Sequence, residues 1–418
     1  MKAIHLRTEY LKNPMGIDIE RPRLFWTCEG GRKQTAYQII AKCGSKIVWD
    51  SGKVASSRMT HIRYGGEPLR SRQRIWWSVN LWDENDVGGE VSSAWFEMGF
   101  LEAADWKAAW ITGNYKVHKR ERYPVDCFRK VFSGTDIQSA RLYVTACGLY
   151  EGCLNSERIG TAVLTPGHTN YQKRIQYQTY DVTDLLKDGE NVLTFQLADG
   201  WFRGSCGAGG LRNQYGTETK LLAQLELTDH QGKITRVCTD RSWDWSNDGP
   251  IRFADNKDGE VCNANAVPSY HEKAKETSSK ILPTASNNVP VEEHETLSAA
   301  LITTPAGKNV LDFHQNIAGY LSFRVRGKQG QRIILRFGEM LDESGEFTQK
   351  NIQIVKKQYT TPLQQVVYTC KEGLNEYKTR FAIFGFQYVL VEMDGEVDPG
   401  DFTAIAVYSS MERTGWLE

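Results

Sequence analysis

The side chains of this sequence that could do chemistry are clustered carboxylates, one aromatic and basic segment between glycines, and scattered histidines and cysteines. Glycoside hydrolysis uses two carboxyl groups flanking the scissile bond. Two acidic clusters could supply such a pair: Glu339 to Glu343, and Asp255, Asp258 and Glu260. The first leads into a turn at Gly345 and reads most simply as the solvated rim of a hairpin. The second is acidic enough to compare with a calcium loop. It lacks the ligand spacing and terminal bidentate glutamate of an EF-hand, so a plain turn is the simpler reading. The segment Ala198 to Gly204 is more pointed: a β-prone run from Val192 to Leu197 feeds Trp201, Phe202 and Arg203, with glycine on both sides. An aromatic ring can stack on a sugar, and a guanidinium can hydrogen-bond its hydroxyls. The competing reading buries Trp201 under the following segment, Ser205 to Gly216, or in a domain interface.

No other signature is present. The chain has no G-x-S-x-G, H-E-x-x-H, P-loop or G-x-G-x-x-G after a strand. Its eight histidines (5, 61, 118, 168, 230, 271, 294 and 314) show no metal-ligand spacing, and its nine cysteines form no C-x-x-C. No catalytic residue, metal ligand or cofactor is expected. Free thiols fit a reducing compartment, so a cytoplasmic location is expected.

The elements that must position these residues read as all-β. Ala36 to Lys42, Lys46 to Asp50, Arg74 to Asp83 and Ser92 to Met98 are β-prone runs separated by turn residues, which predicts a small sandwich over residues 1–103. Leu101 to Ile111 is a connector with one helical turn. Ala140 to Ala146, Asn191 to Ala198 and Leu222 to Leu227 alternate in the same way and predict a second, larger sandwich over 104–300, with a short turn at Val182 to Leu186. Its last part, from Lys273 to about Ala300, is polar and reads as a linker or a long exposed connection. Gly319 to Gly327, Gln331 to Gly338 and Gln387 to Met393 predict a third β unit over 301–408, and 409–418 trails from it.

A chain of 418 residues exceeds the roughly 250–300 residues that one core supports, so several domains are required. Lys plus Arg number 51 and Asp plus Glu number 51, and this zero net charge argues against a nucleic-acid or polybasic membrane partner. No run of about 18 apolar residues is present, and the start has no apolar leader core. Eight of the twelve tryptophans fall in the first 110 residues. Most lie on alternating strands or in the connector, which favours core and interdomain packing over a sugar platform.

Taken in order, the motifs resemble the bacterial α-L-rhamnosidases of glycoside hydrolase family 78. Asn13 to Asp18 with Arg21 to Trp26, Trp49 to Val54, Trp95 to Leu101 and Asp105 to Ile111 resemble that family's opening. Ala140 to Val144, Tyr180 to Asn191, Asp199 to Gly204 and Thr239 to Trp243 are similar to its N-terminal β-sandwich. Asn316 to Tyr320, Phe337 to Leu341 and Phe384 to Tyr388 are similar to its concanavalin-like domain. The resemblance implies three consecutive β-sandwiches: fibronectin-III/Ig-like, galactose-binding-like jelly roll, and concanavalin-like. The family's inverting active site lies in an (α/α)6 barrel that follows these domains. Its acidic motif is not found here, and the chain stops near Thr414 to Glu418, where the barrel would begin.

The expectation is therefore a truncated, non-catalytic β portion of an α-L-rhamnosidase, inactive alone. Its partners would be the missing barrel and, weakly, a rhamnose-containing glycoside. Trp201, Phe202 and Arg203 are the expected sugar- or barrel-facing loop. The alternatives are a free-standing carbohydrate-binding protein and a glycosidase whose site lies on the β domains. A surface left without its barrel would promote self-association.

Overall fold

The computed structural model describes residues 1–207, 209–356 and 359–417, and the chain is built almost wholly of strands. It divides into two compact units. One comprises residues 1–107 with 176–180 and 282–287; the other comprises 108–175, 181–281 and 288 onward.

The first unit is the expected small sandwich. One sheet orders the strands Met15–Ile17, Ser92–Met98, Arg74–Trp82, Ala36–Cys43 and Lys46–Asp50; the other pairs Lys2–Thr8, Arg23–Glu29 and Ile62–Arg63. Arg74–Trp82 shows the cause. Ile75, Trp77, Val79 and Leu81 alternate inward with almost no exposure, because successive side chains of a strand point to opposite faces. Trp26 and Trp77 are core residues, and Trp26 keeps its indole N–H satisfied by donating to Gln34 Oε1 at 3.0 Å. Trp76, on the opposite face, is half exposed. The connector's helical turn is a single 3-10 turn at Ala103–Asp105. After it, Trp106 packs edge-on to Phe100 and Tyr177, and the Tyr177 hydroxyl accepts from the Phe100 N–H at 2.8 Å.

In the second unit, one sheet runs Lys275–Thr277, Trp110–Thr112, Lys220–Asp229 and Ile137–Cys147, with Ile234–Cys238 also against Lys220–Asp229. The facing sheet orders Glu157–Arg158, Leu149–Leu154, Gly189–Ala198, Asp126–Gly134, Asp244–Ser246 and Glu272–Lys273. A ten-stranded sheet then orders Ile251–Asp255, Gly259–Asn263, Gln365–Thr369, Arg332–Gly338, Phe384–Glu392, Asn309–Gly327, Phe402–Ser409 and Val291–Ser298; Ala300–Thr303 and Gly373–Lys378 both pair with Asn309–Gly327. One apolar core, from Val125, Leu149 and Ala198 through Phe323, Phe337 and Phe386, runs continuously through this unit.

Two turns use the same chemistry. Asn191 bridges back to Lys187 N–H and to the carbonyls of Lys187 and Gly189, while Asn375 does the same with Lys371 and Gly373. Both glycines sit at positive φ, 91° and 86°, which a side chain would resist. Lys-x-Gly-x-Asn is thus a hairpin device that appears twice in this chain.

The polar segment 273–300 corrects an expectation. It is not a free linker: Lys275–Thr277 joins the second sandwich, and Val291–Ser298 pairs antiparallel with Phe402–Ser409. These are edge strands with no fully buried side chain in either, so their polar sequence hides their pairing. The hairpin 251–263, expected in the second sandwich, also belongs to the ten-stranded sheet, with Gly259–Asn263 parallel to Gln365–Thr369. Of the trailing stretch 409–418, Ser409 ends the last strand and 410–417 has no regular structure; Glu418 lies outside the described residues.

Candidate functional site

The strand Gly189–Ala198 ends at Asp199 and turns through one short helical turn, Gly200–Arg203. Gly200 has φ +52°, and a Cβ there would sit 2.7 Å from Leu149 Cγ and 3.0 Å from the Gly148 carbonyl carbon, so the turn needs glycine. The three expected residues part company. Phe202 is buried against Tyr171, with ring centroids 5.3 Å apart. Arg203 is 1% exposed; its guanidinium holds Asp199 Oδ1 with Nε at 2.7 Å and Nη2 at 2.6 Å. Its Nη1 donates to the Tyr115 hydroxyl at 2.7 Å, and that hydroxyl donates to Asp126 Oδ2 at 3.3 Å. Only Trp201 keeps an intermediate exposure. It stacks on His168 with centroids 5.4 Å apart, and its indole N–H reaches the Asn256 amide at 3.0 Å when that amide is turned to suit its neighbours.

Asp126 is fully enclosed. It accepts from Trp245 Nε1 at 2.9 Å and Thr219 Oγ1 at 3.1 Å, and burial pushes its carboxyl up to about 6 in spite of the Arg203 charge nearby. The acidic turn at 255–260 lies close by. Asp255 Oδ1 caps the N–H groups of Lys257 and Asp258, both at 3.0 Å, and its Oδ2 accepts from Ser205 N–H at 2.8 Å. Asp258 Oδ1 accepts from Thr361 Oγ1 and Leu363 N–H, both at 3.1 Å. Arg122 spans Asp255 and Asp258 with its two Nη atoms. Glu260 accepts from the Tyr377 hydroxyl at 2.5 Å and from the N–H of Arg380 at 3.0 Å, and burial again raises its carboxyl. Gly259, at φ +106°, would place a Cβ 1.8 Å from the Gln365 carbonyl oxygen. The turn reading of this cluster holds, yet its three carboxylates are at most 1% exposed and fasten separate segments together. The cluster at 339–343 is a hairpin rim, with Asp342 capping Ser344 and Glu346 N–H, both at 3.0 Å.

A cavity of about 370 Å³ opens in the same unit. Glu151 and Arg158 come from the second sandwich. Glu293, Tyr320, Lys378 and Arg380 come from the region of the ten-stranded sheet. Arg380 pairs with Glu151, which also lies 3.5 Å from Arg158 Nε. Glu293 receives Lys378 Nζ at 2.7 Å and the Tyr320 hydroxyl at 2.6 Å. Burial opposes the charge on Glu293, but those two hydrogen bonds hold its carboxyl below the ordinary range. The sequence reading missed these residues, along with Arg122 and Asp126. One signal was available for Asp126 and Glu151: a lone acid inside an apolar β run, as in Val125 to Phe128 and Leu149 to Leu154. Among the described residues, no group of three or more His, Cys, Asp or Glu is arranged to hold a metal ion.

Comparison with known proteins follows this architecture. Residues 3–102 match a Rha78A-like N-terminal immunoglobulin domain, 135–303 an alpha-L-rhamnosidase N-terminal domain, and 302–408 a bacterial alpha-L-rhamnosidase concanavalin-like domain. An alpha-L-rhamnosidase of Formosa agariphila is 31% identical over 99% of this chain and 48% of its own length. One from Alteromonas sp. is 32% identical over 90% of this chain and 44% of its own. The crystal structure of native alpha-L-rhamnosidase from Aspergillus terreus superposes with a TM-score of 0.91 at 31% identity, covering 99% of this chain and 50% of that one. The chain thus spans about half the length of the relatives it matches. With all three β domains matched in order, the chain belongs to the α-L-rhamnosidases of glycoside hydrolase family 78, in the region of their N-terminal β domains.

Proposed function

We propose that this chain is the non-catalytic β framework of an α-L-rhamnosidase, an enzyme that removes terminal α-L-rhamnose from glycosides, and that it does not hydrolyse them by itself. The observation that carries this reading is the state of its carboxylates. Asp255 and Asp258 are tied to Arg122, Glu260 to Tyr377 and backbone N–H groups, Glu151 to Arg380, and Glu293 to Lys378 and Tyr320. A general acid must hold a proton near neutral pH and reach the leaving oxygen. Of the three carboxyls raised by burial among the described residues, Asp126 and Glu260 are enclosed in protein, and Asp401 stands on the short turn Pro399–Asp401 beside Asp398, outside the cavity.

Trp201 is the residue of its turn with surface left to face a sugar or a catalytic domain; Phe202 and Arg203 serve from inside. A cytoplasmic location is supported by nine cysteines, none bridged to another. The test is release of p-nitrophenol from p-nitrophenyl α-L-rhamnopyranoside by the purified chain. No turnover above buffer is expected. Turnover that disappears in Glu151→Gln or Glu293→Gln would overturn the reading and place a hydrolytic pair in the cavity.

A further inference from the structure

We propose that the cavity between the strands Leu149–Leu154 and Glu157–Arg158 on one side and Gly373–Lys378 on the other is a binding site for a neutral pyranoside. This inference does not depend on the framework role. The cavity, about 370 Å³, falls within the roughly 300–1,000 Å³ typical of small-molecule sites, and it is lined by charged side chains over an apolar floor that includes Val163, Ile251 and Ala264.

The charges decide the class of ligand. Arg158, Lys378 and Arg380 face Glu151, Glu293 and Glu376, so the lining carries no net charge. Each member has a partner: Arg380 and Arg158 share Glu151, Lys378 holds Glu293, and Glu376 lies 2.9 Å from Arg324 Nε. An ionic ligand would leave one of these groups uncompensated, which is costly in a partly desolvated site. A sugar hydroxyl both donates and accepts, so it can bridge a carboxylate oxygen and a neighbouring guanidinium or ammonium without disturbing their pairing. The apolar floor suits the C–H face of a pyranose ring.

The polar groups are also fixed in advance. Arg158 donates to the carbonyls of Gly160, Thr161 and Ala162 at 3.3, 3.4 and 2.8 Å, and Tyr320 locks the Glu293 carboxylate. Groups already held in place lose little freedom when a ligand arrives, which favours binding. A merely structural interface has no need of a cavity so lined.

The experiment is a calorimetric and NMR titration of the chain with L-rhamnose, methyl α-L-rhamnopyranoside, methyl α-D-glucopyranoside, methyl β-D-galactopyranoside, D-glucuronate and D-glucosamine. We expect saturable binding of at least one neutral pyranoside, and weaker or no binding of the two charged sugars. Arg158→Gln and Lys378→Met should each weaken it by about tenfold, the loss of one charge-assisted hydrogen bond. Trp76→Ala, at a half-exposed tryptophan of the first unit that does not line the cavity, should leave it unchanged. Circular dichroism verifies that each variant is folded; an unfolded one is replaced by Glu376→Gln, where an exposed side chain makes the change mild. No saturable binding by any neutral probe would overturn the proposal. So would a preference for a charged sugar, or binding that the cavity variants leave unaltered. The hydrolysis assay is read separately, so failure here leaves the framework role standing, and turnover there leaves this site standing.

Discussion

At the scale of single residues, Arg203 is the clearest case of a side chain whose role changes between sequence and structure. Between glycines and beside Trp201 it looks available to a ligand, yet it neutralises Asp199 and anchors Tyr115 inside the protein. Replacing one partner of a buried pair leaves the other charge uncompensated, at a cost of about 3–5 kcal/mol. Arg203→Met is therefore expected to lower the urea-denaturation stability by an amount of that order, and a loss below about 1 kcal/mol would show the pair to be dispensable. Trp201→Ala is expected to be milder, since its ring is only partly covered. Comparing L-rhamnose titrations of the wild type and this variant tests a sugar role for Trp201, and equal or absent binding in both would remove it.

Asp126 gives a pH signature at the same scale. Burial raises its folded-state value to about 6, above the ordinary aspartate value of 3.8. Below the ordinary value both the folded and unfolded forms carry the proton, and Asp126 costs nothing. As pH rises toward about 6 the unfolded chain releases the proton first, so unfolding becomes easier. The wild type should lose stability relative to Asp126→Asn between about pH 4 and 6, by something on the order of 2–3 kcal/mol, with a level difference above that. Denaturation midpoints of the two proteins across that window check it, and parallel curves would refute it.

At the scale of elements, the strand Val291–Ser298 carries the lesson. Its sequence, Val-Glu-Glu-His-Glu-Thr-Leu-Ser, has the composition of a solvated connection, because an edge strand buries little of either face. What makes it a strand is its antiparallel partner, Phe402–Ser409, more than a hundred residues away along the chain. Hydrogen exchange distinguishes the two readings: amides of Val291–Ser298 that face Phe402–Ser409 should be protected as part of the sheet, whereas exchange at the rate of a free loop throughout would restore the linker. The two Lys-x-Gly-x-Asn turns are the opposite case. Their asparagine and positive-φ glycine act within five residues, so Asp188 to Asn191 was legible as a turn from sequence alone.

At the scale of the whole molecule, a zero net charge removes the repulsion that keeps proteins apart in solution. Met411, Trp416 and Leu417 are at least 75% exposed, an apolar group on the irregular segment after the last strand. We expect concentration-dependent association by static light scattering, reduced in the double variant Trp416→Ser, Leu417→Ser. A wild-type chain that stays monomeric across the concentration range would refute this expectation.

The sequence by itself determined the all-β class, the strands with the clearest alternation, several turns and the family. Each of these is written in local alternation, in glycine and asparagine at turns, or in ordered motifs that span the chain. The strands Arg74–Trp82 and Gly189–Ala198 needed nothing beyond their own period of two. Only the tertiary structure decided which polar residues meet. Asp255, Asp258 and Glu260 looked like a solvated turn because a carboxylate is usually exposed, and no local pattern announces Arg122, Thr361 or Tyr377 as their partners. The cavity of Glu151, Arg158, Glu293 and Lys378 was hidden for the same reason. Its residues come from strands far apart in sequence, and ion pairing is fixed by distance in space, which hydrophobic periodicity does not encode.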